Sequence, residues 1–253
     1  MEYKMPTELN GLTAVVTGAG SGIGLAVAQS LHGFGVRVFG LDLNEGKMSG
    51  VAKYISCDVG DSTSVARAFQ EIATEVDTID ILINNAGIGA IGTVEEASDE
   101  EWVRVLNINV IGISRVSAAA MPFLRNSSSA SIVNTCSIAA TVGLPKRAIY
   151  SASKGAVLSL TLAMAADAIK ENIRVNCVNP GTTDTPWVNR LLALADDPEA
   201  EREKLQARQP TGRLVSTSEV ASAILYLAHP AQSSTTGTVL AVDGGIDGLR
   251  LPK

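Results

Sequence analysis

The feature that most constrains this 253-residue chain is a short apolar run that breaks into glycines and then turns helical. Residues 12–18 are apolar and rich in β-branched side chains, as a strand buried on both faces should be. Gly18, Gly20, Gly22 and Gly24 follow, with Ala19, Ser21 and Ile23 between them, and residues 25–34 then carry helical spacing. Strand, glycine loop and helix form the context that a dinucleotide-binding turn requires. The glycines let the backbone approach a pyrophosphate, and the free amides of the helix N-terminus attract its charge. Because position 23 is isoleucine, the spacing over residues 17–24 is Thr-Gly-x-x-x-Gly-x-Gly rather than Gly-x-Gly-x-x-Gly. Gly18, Ser21, Gly22, Ile23 and Gly24 are the first candidate cofactor contacts.

The same alternation continues to the end of the chain. A second strand, 36–41, ends in Asp42, roughly 20 residues beyond the glycine loop, where a carboxylate can accept hydrogen bonds from ribose hydroxyls. It would repel a 2'-phosphate, and neither Ser21 nor Leu43 offers a cation, so NAD is expected over NADP. A third strand, 53–57, ends in Asp58 and Val59 beside the expected adenine, and Asp61 opens a helix to about residue 76. A fourth, 79–83, empties into Asn84, Asn85, Ala86 and Gly87. The long helical segment 102–124 is interrupted by Asn107 and Asn109, unfavourable within a helix and therefore wanted elsewhere. A fifth strand, 131–135, leads to Cys136 and Ser137, and a sixth, 174–178, leads to Pro180 and Gly181. After an inserted stretch at 182–209, a helix at 218–227 precedes the seventh strand, 238–242. No Ser/Gly-rich linker interrupts this order. The expectation is one α/β domain over 1–253: a Rossmann-type, doubly wound, seven-stranded parallel sheet in the order 3-2-1-4-5-6-7, with helices on both faces.

Within the alanine-rich helix 148–169, Tyr150 and Lys154 stand four residues apart and share a face. A phenol with a pKa of about 10 is a poor base, but an adjacent cation favours the phenolate, so the pair is a candidate acid/base device. Composition points to small-molecule chemistry: a net charge of -6 with no basic run argues against nucleic-acid and anionic-membrane surfaces. The cysteines Cys57, Cys136 and Cys177 suggest neither a zinc site nor a disulfide, but buried thiols in a reducing compartment. His32 and His229 fall on helices as structural residues, and no metal is expected. The first six residues lack the apolar core of a signal peptide, and no apolar run approaches a membrane span, so a cytoplasmic protein is expected.

Residues 17–24, Asn84 to Gly87, Asn109, Ser137, Tyr150 with Lys154, and Pro180 with Gly181 together resemble the short-chain dehydrogenase/reductase family, in order and spacing over nearly the whole chain. The resemblance implies that Tyr150 exchanges a proton with the substrate oxygen while hydride moves to or from a nicotinamide, and that Ser137 hydrogen-bonds the same oxygen. It implies that Lys154 lowers the tyrosine pKa and binds the nicotinamide ribose, and that Asn109 anchors a relay water. Asn85, Ala86 and Gly87 would lie beside the nicotinamide. Pro180, Gly181 and Thr183 would meet its carboxamide, with Thr185 near the pyrophosphate. Thr183 departs from the isoleucine or valine common there.

The substrate is suggested by arginines. Arg147 precedes Tyr150 by three residues, and Arg190 and Arg208 flank the 182–209 insertion, which would form a lid with Trp187 on its apolar face. Arg147 and Arg208 resemble the branch of 3-hydroxybutyrate and 2-keto-3-deoxy sugar-acid dehydrogenases, where Arg190 is displaced by one position. An NAD-dependent oxidoreductase acting on a small hydroxy acid or sugar acid is expected. The alternatives are a neutral sugar 1-dehydrogenase, a 3-oxoacyl-thioester reductase, and a non-catalytic dinucleotide sensor or scaffold. Helices 102–124 and 148–169 are apolar around most of their circumference, so a partner subunit is expected to cover them. The resemblance implies a homotetramer.

Overall fold

The computed structural model describes residues 9–193 and 195–251; the N-terminal hexapeptide read above lies outside them. Seven parallel strands form one sheet in the order β3-β2-β1-β4-β5-β6-β7. They are β1 (Thr13–Thr17), β2 (Arg37–Asp42), β3 (Lys53–Ser56), β4 (Ile81–Asn84), β5 (Ser131–Thr135), β6 (Arg174–Pro180) and β7 (Val239–Val242). The central strands are apolar on both sides because both sides are covered. Ala14 and Val16 of β1 face the layer of α1 (Gly22–Gly33) and α8 (Thr217–Ala228). Val15, between them, faces the opposite layer of α2 (Ser62–Ala73), α4 (Gly112–Leu124) and α5 (Ala148–Ala168). The expected strand order and the helices on both faces are therefore present.

The departures from expectation have local causes. Helix α1 begins at Gly22, so the last glycines form its first turn. Strand β4 starts only at Ile81, because Asp80 turns its carboxylate to accept the Thr13 amide at 2.8 Å and the Ser127 hydroxyl at 2.6 Å. The interruption at Asn107 is a π-helical turn, Asn107–Ile111, that joins α3 (Asp99–Leu106) to α4 without ending the helix. At its start the Asn107 amide donates to the Gly60 carbonyl at 2.9 Å and accepts from Arg115 at 2.7 Å. The insertion folds as α6 (Pro186–Leu192) and α7 (Pro198–Ala207), joined through Arg202 donating to Asn189 at 3.0 Å. His229 lies one residue past α8, where its Nδ1 accepts the Ala231 amide at 3.1 Å. All three cysteines are free and buried, and Cys136 and Cys177, distant in sequence, share one apolar cluster.

One expectation is corrected. The helical stretches Asp99–Leu124 and Ala148–Glu171 do reach the length and mean hydropathy, 1.2 and 1.3, of a membrane span. Scattered polar residues conceal this when only unbroken apolar runs are sought. Each lays one side on the sheet, through residues such as Val116, Ala120, Ala165 and Ala168, as the core helices of a doubly wound fold must.

Two ties hold the sheet at opposite ends. At its lower end Arg174 is buried, with no carboxylate partner among the described residues, and donates to the carbonyls of Leu227, Ala228 and His229 at 2.6, 3.1 and 3.2 Å. It satisfies the acceptors that α8 leaves open at its C-terminus. At the upper end the Thr17 hydroxyl donates to the Ile83 carbonyl at 3.4 Å and accepts the amides of Asn85 and Ala86 at 2.9 and 3.0 Å. This locks the end of β1 to the loop after β4. Thr17→Val, nearly isosteric, strands both amides and should cost about 1–3 kcal/mol, read as a lower denaturation midpoint; an unchanged midpoint would show that the tie is dispensable.

Candidate active site

Parallel strands end on one side, and in a doubly wound sheet a crevice opens where the order reverses, here between β1 and β4. Gly18 adopts a φ of +65° to turn out of β1, and a Cβ on Gly24 would collide with the Gly18 carbonyl oxygen. The loop is thus packed too tightly for any other residue. Helices α2, α3, α6, α7 and α8 are each capped by a side chain, from Asp61, Ser98, Thr185, Asp197 and Ser216. At α1 the N-cap Ser21 makes no such bond, and its first turn carries no acidic residue. These uncapped amides fit a pyrophosphate. Asp42 accepts the Gly20 amide at 2.9 Å through one carboxylate oxygen, which leaves the other for a ribose hydroxyl. Asp58 is exposed and accepts the Gly60 amide at 2.8 Å, so it shapes the turn beside Val59, which is buried. These residues fit a dinucleotide running from Asp58 past the glycine loop to the ends of β4, β5 and β6.

At those ends the chemistry-bearing side chains meet. Lys154 is only 6% exposed. Its ammonium donates to the Thr135 carbonyl, the last of β5, at 2.8 Å, and lies 5.8 Å from the centre of the Tyr150 ring. Ser137, one residue past Cys136, accepts the Ala139 amide at 3.2 Å, which leaves its hydroxyl hydrogen to donate into the cleft. Its own amide donates to Asn179 at 3.1 Å. Asn85 donates to the carbonyls of Thr17 and Gly18 at 3.1 and 3.3 Å, joining the glycine loop to the strand ends. Asn109 is buried, and both hydrogens of its carboxamide are engaged. It accepts the Ile88 amide at 2.8 Å and donates to the Ile88 carbonyl at 2.9 Å and to Ser153 at 3.1 Å. In this geometry the Asn109 side chain positions the 86–88 loop and the helix turn that carries Lys154.

One cleft is lined by Ile23, Asn85, Gly87, Ser137, Tyr150, Lys154, Pro180, Gly181, Thr183 and Thr185 together, so most of the expected constellation converges. Thr183 turns inward and donates to the Gly181 carbonyl at 3.1 Å, while Thr185 lies 3.7 Å from where a Cβ on Gly22 would stand. Arg147, Trp187 and Arg208 also line the cleft. Arg190 does not: it points from the last turn of α6 to the surface, as the one-residue displacement in sequence forewarns. Burial holds the Arg147 guanidinium below its ordinary pKa; Tyr150 opposes this, and the charge of Arg208 adds to it. Arg213 pairs with Glu219 at 2.7 Å outside the site. Sequence reasoning missed Thr135, Leu144, Leu205 and Gly89, which act through backbone or shape and carry no chemical signature.

A family model described as Enoyl-(Acyl carrier protein) reductase matches residues 18–247. The chain is 37% identical to dehydrogenase/reductase SDR family member 6 of Rattus norvegicus over 240 residues, covering 94% of this chain and 98% of that protein. Among solved structures, ligand-free Thermoplasma acidophilum aldohexose dehydrogenase superposes with a TM-score of 0.91 at 34% identity, over 98% of this chain and 99% of that one. The 3-ketoacyl-(acyl-carrier-protein) reductase of Brucella melitensis, complexed with NADH, gives a TM-score of 0.85 at 30% identity, over 94% and 99%. With the tyrosine, lysine and serine gathered at the strand ends over a dinucleotide cradle, the chain belongs to the short-chain dehydrogenase/reductase family of nicotinamide-dependent oxidoreductases.

Proposed function

We propose that this protein is an NAD-dependent dehydrogenase acting on the secondary alcohol of a small hydroxy acid or sugar acid. One observation carries the reading: among the described residues lining the cleft the charged groups are Arg147, Lys154 and Arg208, with no aspartate or glutamate. Two arginines held together beside a reactive tyrosine gain most when a carboxylate lies between them. Leu144, Val188, Leu191 and Leu205 supply an apolar wall that suits a short carbon chain and leaves the hydroxyls of a neutral aldohexose without partners. The Thermoplasma and Brucella relatives keep a sugar 1-dehydrogenase and a thioester reductase as alternatives, but neither reading gives both arginines work.

A bound nicotinamide dinucleotide supplies the hydride acceptor. Tyr150 takes the proton of the substrate hydroxyl. Ser137 donates to the same oxygen and holds it against the phenol. Lys154 offers its charge to the phenol oxygen, while the Thr135 carbonyl fixes the ammonium in place. Asn109 holds the loop and the helix turn that frame them. Thr185, Trp187 and Val188 on α6 exclude water from the reacting atoms. Asp42 supports NAD over NADP, since a 2'-phosphate would meet its carboxylate. Three free buried cysteines suit a reducing cytoplasm. Val103, Ile111 and Leu162 are 68%, 46% and 44% exposed on the long helices, which supports assembly into a homotetramer.

An NAD-reduction screen over 3-hydroxy acids, sugar acids and free sugars tests the substrate, with acids expected to be oxidised and aldohexoses not. Arg147→Gln should raise KM for the acid about 10- to 100-fold, the worth of a charge-assisted hydrogen bond, and Tyr150→Phe should abolish turnover while still binding NADH. Preference for free sugars, or turnover by Tyr150→Phe, overturns the assignment. Asp42→Ala should erode the preference for NAD, whereas a wild type that already favours NADP contradicts the role given to Asp42. Light scattering should return four times the 26.3 kDa chain mass; a monomer at micromolar concentration excludes the assembly.

A further inference from the structure

Glycine at position 89 is a seat for an aromatic ring. A Cβ there would overlap Cζ2 of Trp187 and stand 2.8 Å from Cη2 and 2.9 Å from Cε2, so the six-membered edge of the indole rests directly on the Gly89 backbone. The Arg147 guanidinium lies 5.9 Å from the indole ring centre, within cation–π range. It also donates to the Ala90 carbonyl at 3.0 Å. The floor under the ring is fixed. The amide and carbonyl of Ile88 are both clamped by Asn109, and the Gly92 amide donates to the Lys146 carbonyl at 2.9 Å. The ring itself belongs to α6, whose first residue Pro186 and N-cap Thr185 lie against Gly22 of the glycine loop. The first turn of the lid thus spans from the phosphate end of the cofactor cradle to the floor of the substrate cleft.

We propose that Gly89 and Trp187 together set the length of substrate that the cleft accepts. With hydrogen as the side chain at 89, the indole closes down beside Tyr150 and Arg147 and takes the space that a longer acyl chain would need. Any side chain at 89 lifts the ring and opens that space. Gly89 is a positioning residue acting through Trp187, and it leaves the proton-transfer groups untouched. The inference rests on the hydroxy-acid reading only for its choice of probe substrates.

The test uses Gly89→Ala, Trp187→Phe, Trp187→Ala and the double variant Gly89→Ala/Trp187→Phe. The kcat/KM ratio of 3-hydroxyhexanoate to 3-hydroxybutyrate should rise about tenfold or more in Gly89→Ala and in Trp187→Ala, the scale of discrimination a hydrophobic wall provides. In the double variant the smaller ring lacks the edge that a Cβ strikes, so the ratio should fall back towards that of Trp187→Phe alone. An independent arm places Gly89→Ala in a Trp102→Phe background, where Trp187 is the remaining tryptophan, and follows acrylamide quenching of its fluorescence. Quenching should rise when the ring leaves its seat. An unchanged ratio in Gly89→Ala, or unchanged quenching, overturns the proposal. The quenching arm needs no substrate, so it decides the seat even if wild type oxidises neither acid, an outcome that overturns the hydroxy-acid reading instead.

Discussion

The site depends on one awkward charge. Lys154 carries an ammonium into the interior, and among the described residues no carboxylate pairs with it. An unpaired buried cation is costly, so it must be held by dipoles. The Thr135 carbonyl at the end of β5 meets it, and Cys136 binds the Lys154 carbonyl at 3.2 Å, which ties the same helix turn to the same strand end. Because α5 packs on the sheet through Val157, Ala165 and Ala168, the helix turn that carries the ammonium is held against the strand end. A positive group fixed beside a phenol, with no carboxylate among the described residues to neutralise it, is poised to stabilise negative charge on the phenol oxygen.

That arrangement is available only because the strands are parallel. All seven deliver their carboxyl ends to one side, and the four central strands carry a short polar residue at or next to that end: Thr17, Asn84, Thr135 and Asn179. These side chains bind one another's backbone, with Thr17 reaching the loop after β4, Asn85 reaching back to β1, and Asn179 reaching across to Ser137. Asn84 also bonds Ser117 and Asn134 at 3.0 and 2.9 Å, carrying the mesh below the site. A rim of hydrogen-bonded threonine and asparagine is stiffer than one of longer side chains, since fewer rotors must be ordered. It therefore holds the reacting groups without help from a ligand.

Much of this was legible before any coordinates. Periodicity separates strands buried on both faces from amphipathic helices, and the glycine loop, Tyr150 with Lys154, and Ser137 are marked by residue types that have few other uses at that spacing. What escaped was of two kinds. Thr135 acts through a carbonyl that any residue at a strand end offers, so no pattern singles it out. The π-helical turn at Asn107 depends on how its helix is wound, and a single residue of register moves a side chain by about 100° around the axis, as the displaced Arg190 shows. The sequence shows that asparagine is unwelcome in that helix; it does not say that widening the turn is the solution.

The cleft is accordingly built from two materials. Its catalytic side is made of strand ends and the helix behind them, cross-linked by the hydrogen bonds that define the fold, so a substitution there disturbs stability and chemistry together. Its other side, with Trp187, Leu191, Leu205 and Arg208, hangs on α6 and α7, which Arg202 of α7 ties to Asn189 of α6 and to Asp184 just before it. Residues there can change without straining the sheet. An aldohexose dehydrogenase and a 3-ketoacyl-(acyl-carrier-protein) reductase share this fold over nearly its whole length. The groups at the strand ends are fixed by the sheet itself, whereas those on the other side are carried by two helices outside it.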